Sequence, residues 1–145
     1  MQSAIEILTV SRYRKKVYEK MMGGLCREYR LTVREMDIIM FLANYPGYDT
    51  ARDIAEIGMF PKSHVSIAIE ALCRRGFLEK QPGRKRNVHL RLTKEGQRVV
   101  EQGHLVQAEF VRVMFEGLSS EEFLSLMNSQ EKISKNLKAA YEGME

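Results

Sequence analysis

Residues 61–92 read PKSHVSIAIEALCRRGFLEKQPGRKRNVHLRL, and this stretch decides how the chain is built. Val65, Ala68, Ile69 and Leu72 recur at helical spacing, which predicts a helix over 62–75 with one buried stripe. Lys62, Ser63, His64, Ser66, Ile67 and Glu70 fall on its other side. Pro61 stands where a first helical turn tolerates proline, and Gly76, after Arg74 and Arg75, has the place of a left-handed helix stop. Two short strands follow, FLEKQ at 77–81 and VHLRL at 88–92. In the second, Val88, Leu90 and Leu92 alternate with His89 and Arg91, the period of a half-buried strand. Between them PGRKRN is a turn-forming and very basic hairpin tip.

Working outward, ARDIAEIG before this stretch predicts a short helix capped by Asp49 or Thr50, with Ile54, Ala55 and Ile57 inward. Tyr45-Pro46-Gly47-Tyr48 breaks the chain ahead of it. Thr32 and Glu35 are spaced as a capping box for a helix running through Met36, Ile39, Met40 and Leu42 toward Asn44. Residues 4–29 form a long helix in which Tyr13, Val17, Met21 and Leu25 repeat at four, with Gly23-Gly24 lowering its local propensity. On the other side, Thr93 caps a helix with Val99, Val106, Phe110 and Val113 on one side. Ser119 and Glu122 box the last helix, whose stripe is Phe123, Leu126, Met127, Ile133, Leu137 and Tyr141. The order is four helices, a hairpin and two helices: a mainly α chain with a small β-hairpin.

Composition narrows what such a chain does. Its 145 residues suffice for one domain with a core, and 44% apolar with 29% charged residues fits a globular protein rather than a disordered or membrane one. No run approaches the roughly 20 apolar residues that cross a bilayer, and residues 1–16 lack the charge order of a secretory signal, so a cytoplasmic location is expected. Cys26 and Cys73 lie far apart, and His64, His89 and His104 are isolated, so neither a disulfide scaffold nor a metal site is expected. Both cysteines, and Met21, Met22, Met36, Met40 and Met114, read as packing residues. No nucleophile–base pair or phosphate-cradling glycine loop stands out, so neither an enzyme nor a cofactor is expected. The net charge of +4 is unevenly spread: +1 over residues 1–60, +7 over 61–100 and −4 over 101–145. A basic middle suits a polyanionic partner.

A short helix, a tight turn, a second helix and a basic hairpin is the winged helix-turn-helix order. The major groove is about 12 Å wide and admits one helix. The polar first turn of 62–75 suits close approach to bases and phosphates, with Ser63 and Ser66 bonding to either, His64 to a base or phosphate, and Ile67 to a thymine methyl. Arg74 and Arg75 at its far end, and Arg52 on the preceding helix, are expected on phosphates. Arg84, Lys85 and Arg86 in the hairpin repel one another, a strain that a polyanion relieves, and an arginine there suits a narrow minor groove. The alternative from another class is a winged-helix module whose basic hairpin docks an acidic protein.

LTVREMDIIMFL, ARDIAEI, KSHVSIAIEALCRRGFLEK and KRNVHLRLTKEGQRVV, in that order and followed by LSSEEF, resemble the MarR family of bacterial regulators over nearly the whole chain. The resemblance implies one domain over 1–145, with a winged helix-turn-helix lobe at 32–93 and dimerisation helices at 1–30 and 94–145. It implies a homodimer on a pseudo-palindromic operator in double-stranded DNA, acting in transcription regulation. Many members are repressors relieved by small phenolic or other lipophilic ligands; the residues of such a site here are not legible. Two departures stand out. Arg84 occupies the place where the family carries an acidic residue two before the wing arginine, and Ile67 stands where an arginine is common.

Overall fold

The computed structural model describes residues 3–83 and 87–144. The elements run α1 (Ala4–Tyr29), α2 (Val33–Asn44), α3 (Ala51–Ile57), α4 (Lys62–Arg74), β1 (Leu78–Pro82), β2 (Val88–Leu92), α5 (Lys94–Met114) and α6 (Ser120–Glu142). This is the mainly helical architecture with one hairpin that the patterning predicts, and none of the described helices is long and apolar enough to cross a membrane. The chain divides into two compact units at Phe110/Val111, inside α5.

Local chemistry starts most of the helices. Ser3, Thr32, Thr50 and Ser119 each form a full capping box, the side chain accepting from the backbone N–H three residues on while that residue's carboxylate accepts from the cap. Of the two caps open for α3, Thr50 takes the place, and Asp49 is used elsewhere. Pro61 occupies the cap position of α4 rather than its first turn and has no side-chain acceptor to offer. Gly76 adopts φ +81° and turns the chain out of α4, as its position in the sequence implies.

The core of the first unit gathers Met22 and Leu25 of α1, Met36, Ile38, Ile39 and Met40 of α2, Ile54 of α3, Val65, Ile69 and Leu72 of α4, Phe77, Leu78, Leu90 and Val99. The hairpin is antiparallel, with Leu78 opposite Leu92, Lys80 opposite Leu90 and Pro82 opposite Val88. Thr93 joins it to α5: its hydroxyl donates to the Gly76 carbonyl at 2.5 Å and accepts from the Gly96 N–H at 3.1 Å. Gly96 lies so close to the Phe77 carbonyl that no Cβ fits between them. A polar chain links α1, α2 and α5, in which Gln107 donates to the Tyr18 hydroxyl at 3.0 Å, Asn44 donates to Gln107 at 3.3 Å, and His104 Nε2 lies 3.1 Å from Asn44 Oδ1.

Arg75 is the main correction to the sequence reading. It is not free for phosphate: Nη1 and Nη2 each donate at 2.6 Å, to the carbonyls of Arg30 and Tyr29 at the end of α1. Its Nη1 also lies 3.9 Å from the carboxylate of buried Glu35, whose Oε2 has no hydrogen-bond partner. Arg30 itself is left-handed at φ 54°, a turn that exposes these carbonyls to the guanidinium. Three residues expected inward are exposed instead: Ile57, Val88 and Val113. Ile57 ends a seven-residue helix whose contact with the core is spent on Ile54 and Ala55. Val88 sits at the loop end of the hairpin against Pro82, beyond the reach of the core. Val113 belongs to the second unit, where the described residues of α6 are all at least partly exposed.

Candidate nucleic-acid interface

The helix pair α3–α4 is a helix-turn-helix. Its turn, Gly58-Met59-Phe60, holds Met59 in the left-handed region at φ 56°, and the Gly58 and Phe60 N–H groups donate back to the Ile54 and Ala55 carbonyls. Phe60 is covered by the Arg34 guanidinium, 4.3 Å above its ring, which fixes the turn against α2. From this turn α4 emerges with its two faces separated. Val65, Ala68, Ile69 and Leu72 are buried. Lys62, Ser63, His64, Ser66 and Ile67 are all exposed, Ile67 at 70% although it is aliphatic.

Ile67 thus presents an apolar surface on the same face as Ser63 and Ser66. With Pro61 as the cap, the first-turn N–H groups of α4 have no side-chain acceptor. They lie among Lys62, Ser63 and His64, a combination suited to an anion.

The flanking cations have different surroundings. Arg74 is exposed. Arg52 is 81% exposed and pairs with Glu56 one turn on at 2.9 Å, an ion pair that solvent weakens and that an incoming phosphate can replace. Arg84, Lys85 and Arg86 lie outside the described residues; Gly83 and Asn87, on either side, close the hairpin by a Gly83 N–H to Asn87 carbonyl bond of 2.7 Å.

Two contacts at this face escape sequence reasoning. Glu70, on the exposed side of α4, forms an ion pair with Lys80 of β1, and the bond to Lys80 holds the Glu70 carboxyl below the usual range and the Lys80 ammonium above it. The pair neutralises the one carboxylate that α4 turns outward. His89 of β2 meets Asp49 ahead of α3 at 2.6 Å. Neither pair leaves a trace in spacing, since the partners are 10 and 40 residues apart.

The thiols read as packing groups, as expected. Cys26 is buried and Cys73 partly so, and burial raises the pKa of both above that of a free thiol, which opposes thiolate chemistry. Met22, Met36 and Met40 are core, while Met21 and Met114 are half-buried. Among the described residues no group of histidine, cysteine and carboxylate side chains is arranged to hold a metal.

Residues 31–86 match the sequence profile of the MarR family. A search of curated protein sequences finds no match. Solved structures share the fold over most of the chain. A MarR transcriptional regulator from Methanosarcina mazei is 17% identical with a TM-score of 0.82, covering 96% of this chain and 94% of its own. A MarR family regulator from Listeria monocytogenes, solved with a 26mer DNA, is 17% identical with a TM-score of 0.77, over 97% of this chain and 93% of its own. BpsR of Bordetella bronchiseptica, whose DNA binding is regulated by 6-hydroxynicotinic acid, is 19% identical with a TM-score of 0.69, over 88% of this chain and 98% of its own. At these identities the likeness is one of fold.

Proposed function

We propose that this chain, whose winged-helix segment at residues 31–86 belongs to the MarR family, is a DNA-binding transcriptional regulator acting as a homodimer. The observation that carries the reading is the two-sidedness of α4: four side chains lock its inner face into the core while every residue from Lys62 to Ser66, Val65 excepted, faces solvent. A helix so anchored is rigid enough to enter a groove and free enough to touch what lies there. Lys62, Ser63 and His64 take phosphates or base edges, Ser66 a base edge, and Ile67 a thymine methyl. Arg52 and Arg74 contact phosphates beside the groove, and Arg84, Lys85 and Arg86 supply the wing's charge.

The dimer is supported by apolar surface that the chain leaves uncovered. In α1, Ile5, Leu8 and Tyr13 are exposed; in α6, Leu124, Ile133, Leu137 and Tyr141 are exposed. Surfaces of that size seek a second copy. A twofold pair of winged lobes reads a pseudo-palindrome whose half-sites are about one helical turn, roughly 34–36 Å, apart. We further propose repression relieved by a small lipophilic or phenolic ligand, in line with the ligand-regulated DNA binding of BpsR.

Selection from a random duplex pool tests the reading. Enrichment of a two-fold symmetric site, bound more weakly as salt rises, is the expected result. A chain that binds no duplex even at low salt refutes it and leaves an acidic protein as the wing's partner.

A further inference from the structure

The base of the wing is held by one imidazole. His89 Nδ1 lies 2.6 Å from Asp49 Oδ1, and the Asp49 carbonyl accepts from the next residue of the strand, Leu90, at 2.8 Å. An ionised carboxylate only accepts, so the Nδ1 hydrogen points at Asp49 and the Nε2 edge of the ring faces the other way. That edge lies on Gly83: a Cβ added there would fall within 2.6 Å of Nε2 and closer still to Cδ2. One ring therefore touches three segments: the loop that ends at Thr50, the cap of α3; strand β2; and Gly83, the last residue before 84–86.

We propose that His89 is a positioning residue for DNA binding, latching the two-stranded hairpin to the start of the helix-turn-helix so that the hairpin and α4 are presented to one duplex together. The inference rests on the DNA-binding reading above. The backbone bond from Leu90 already keeps the strand beside the loop, and the two side chains are each more than a third exposed. The Asp49–His89 pair is thus not what folds the lobe. It fixes where Gly83 sits at the end of β1.

The test uses the full chain and a random-sequence duplex of about three helical turns, titrated over a salt series. His89→Ala and Asp49→Ala are each expected to weaken binding by about tenfold, and the double variant by no more than either alone. The slope of log K against log salt should flatten by about one, the loss of one phosphate contact. Arg86→Ala should add little in the His89→Ala background. Asp49→Asn, whose amide oxygen still accepts from the ring, should keep most of the affinity. Melting temperatures should stay near that of the parent.

His89→Ala binding with the parent's affinity and slope overturns the latch and leaves the DNA-binding reading standing. So does weaker binding with an unchanged slope, which makes the residue merely structural. A parent that binds no duplex removes both. Should His89→Ala not fold, His89→Phe keeps a ring beside Gly83 but has no hydrogen to give Asp49: the same loss is expected, and full-strength binding with the parent's slope overturns the proposal.

Discussion

Helices α4 and α6 both carry apolar residues at helical spacing, yet α4 buries four of them and α6 buries none. The stripe of α4 meets α2 and α3 within one unit, where Ile39, Ile54 and Leu72 are fully enclosed. In α6, Phe123 packs edge-on against Phe115 at 5.0 Å, and further along Ile133, Leu137 and Tyr141 stand in solvent. Periodicity reports that a face wants cover, and is silent on whether the same chain supplies it. The first unit encloses its core with help from α1 and α5, while the last helix leaves its stripe uncovered, and we propose that a second copy covers it.

The comparison breaks first at Leu72. Removing a fully enclosed leucine costs its transfer energy and leaves a cavity, so Leu72→Ala should lower unfolding stability by about 3 kcal/mol in chemical denaturation. A loss well under 1 kcal/mol would mean that α4 is not anchored as described. Next comes the paired change Ile133→Glu with Leu137→Glu. It should raise the dimer dissociation constant by at least about 100-fold in sedimentation, roughly 3 kcal/mol shared by two sites, and leave helical content in place. A dimer that persists would assign the contact to another face.

The smallest expected effect concerns Asp37 of α2, whose pKa burial pushes up to about 6 against the pull of Arg34. The folded state then binds a proton more tightly than the unfolded one, so this carboxyl favours folding below its unfolded pKa and loses that contribution as pH rises through about 6. Asp37→Asn should therefore stabilise the protein at pH 7 by about 1 kcal/mol, discounted for partial exposure, with the gain fading as pH falls toward 4. A gain that is constant across that range would free Asp37 of the effect.

Much of this architecture is legible in the chain. The capping boxes at Thr32 and Ser119, the inner face of α4 and the Gly76 stop follow from forces that act over four residues or fewer, and the hairpin from two alternating runs joined by one short turn. The outward residues of α4 follow too, by exclusion from the stripe. What was not legible is where long polar side chains end. Arg75 looks like Arg74 in sequence, but reaches 45 and 46 residues back to α1. His89 looks like any outward strand residue until Asp49 is brought beside it. Val88 keeps the strand's alternation and loses its partner only because the hairpin outruns the core.

The Arg75 contact also limits how the chain can drift. Two carbonyls at the end of α1 are served by the two prongs of one planar fork, each at 2.6 Å. A lysine carries its charge on a single point at the end of a flexible stem and does not reproduce that span. The Arg-to-Lys exchange that costs little on most protein surfaces is thus closed at position 75, and relatives that keep the left-handed exit from the first helix should keep arginine there as well.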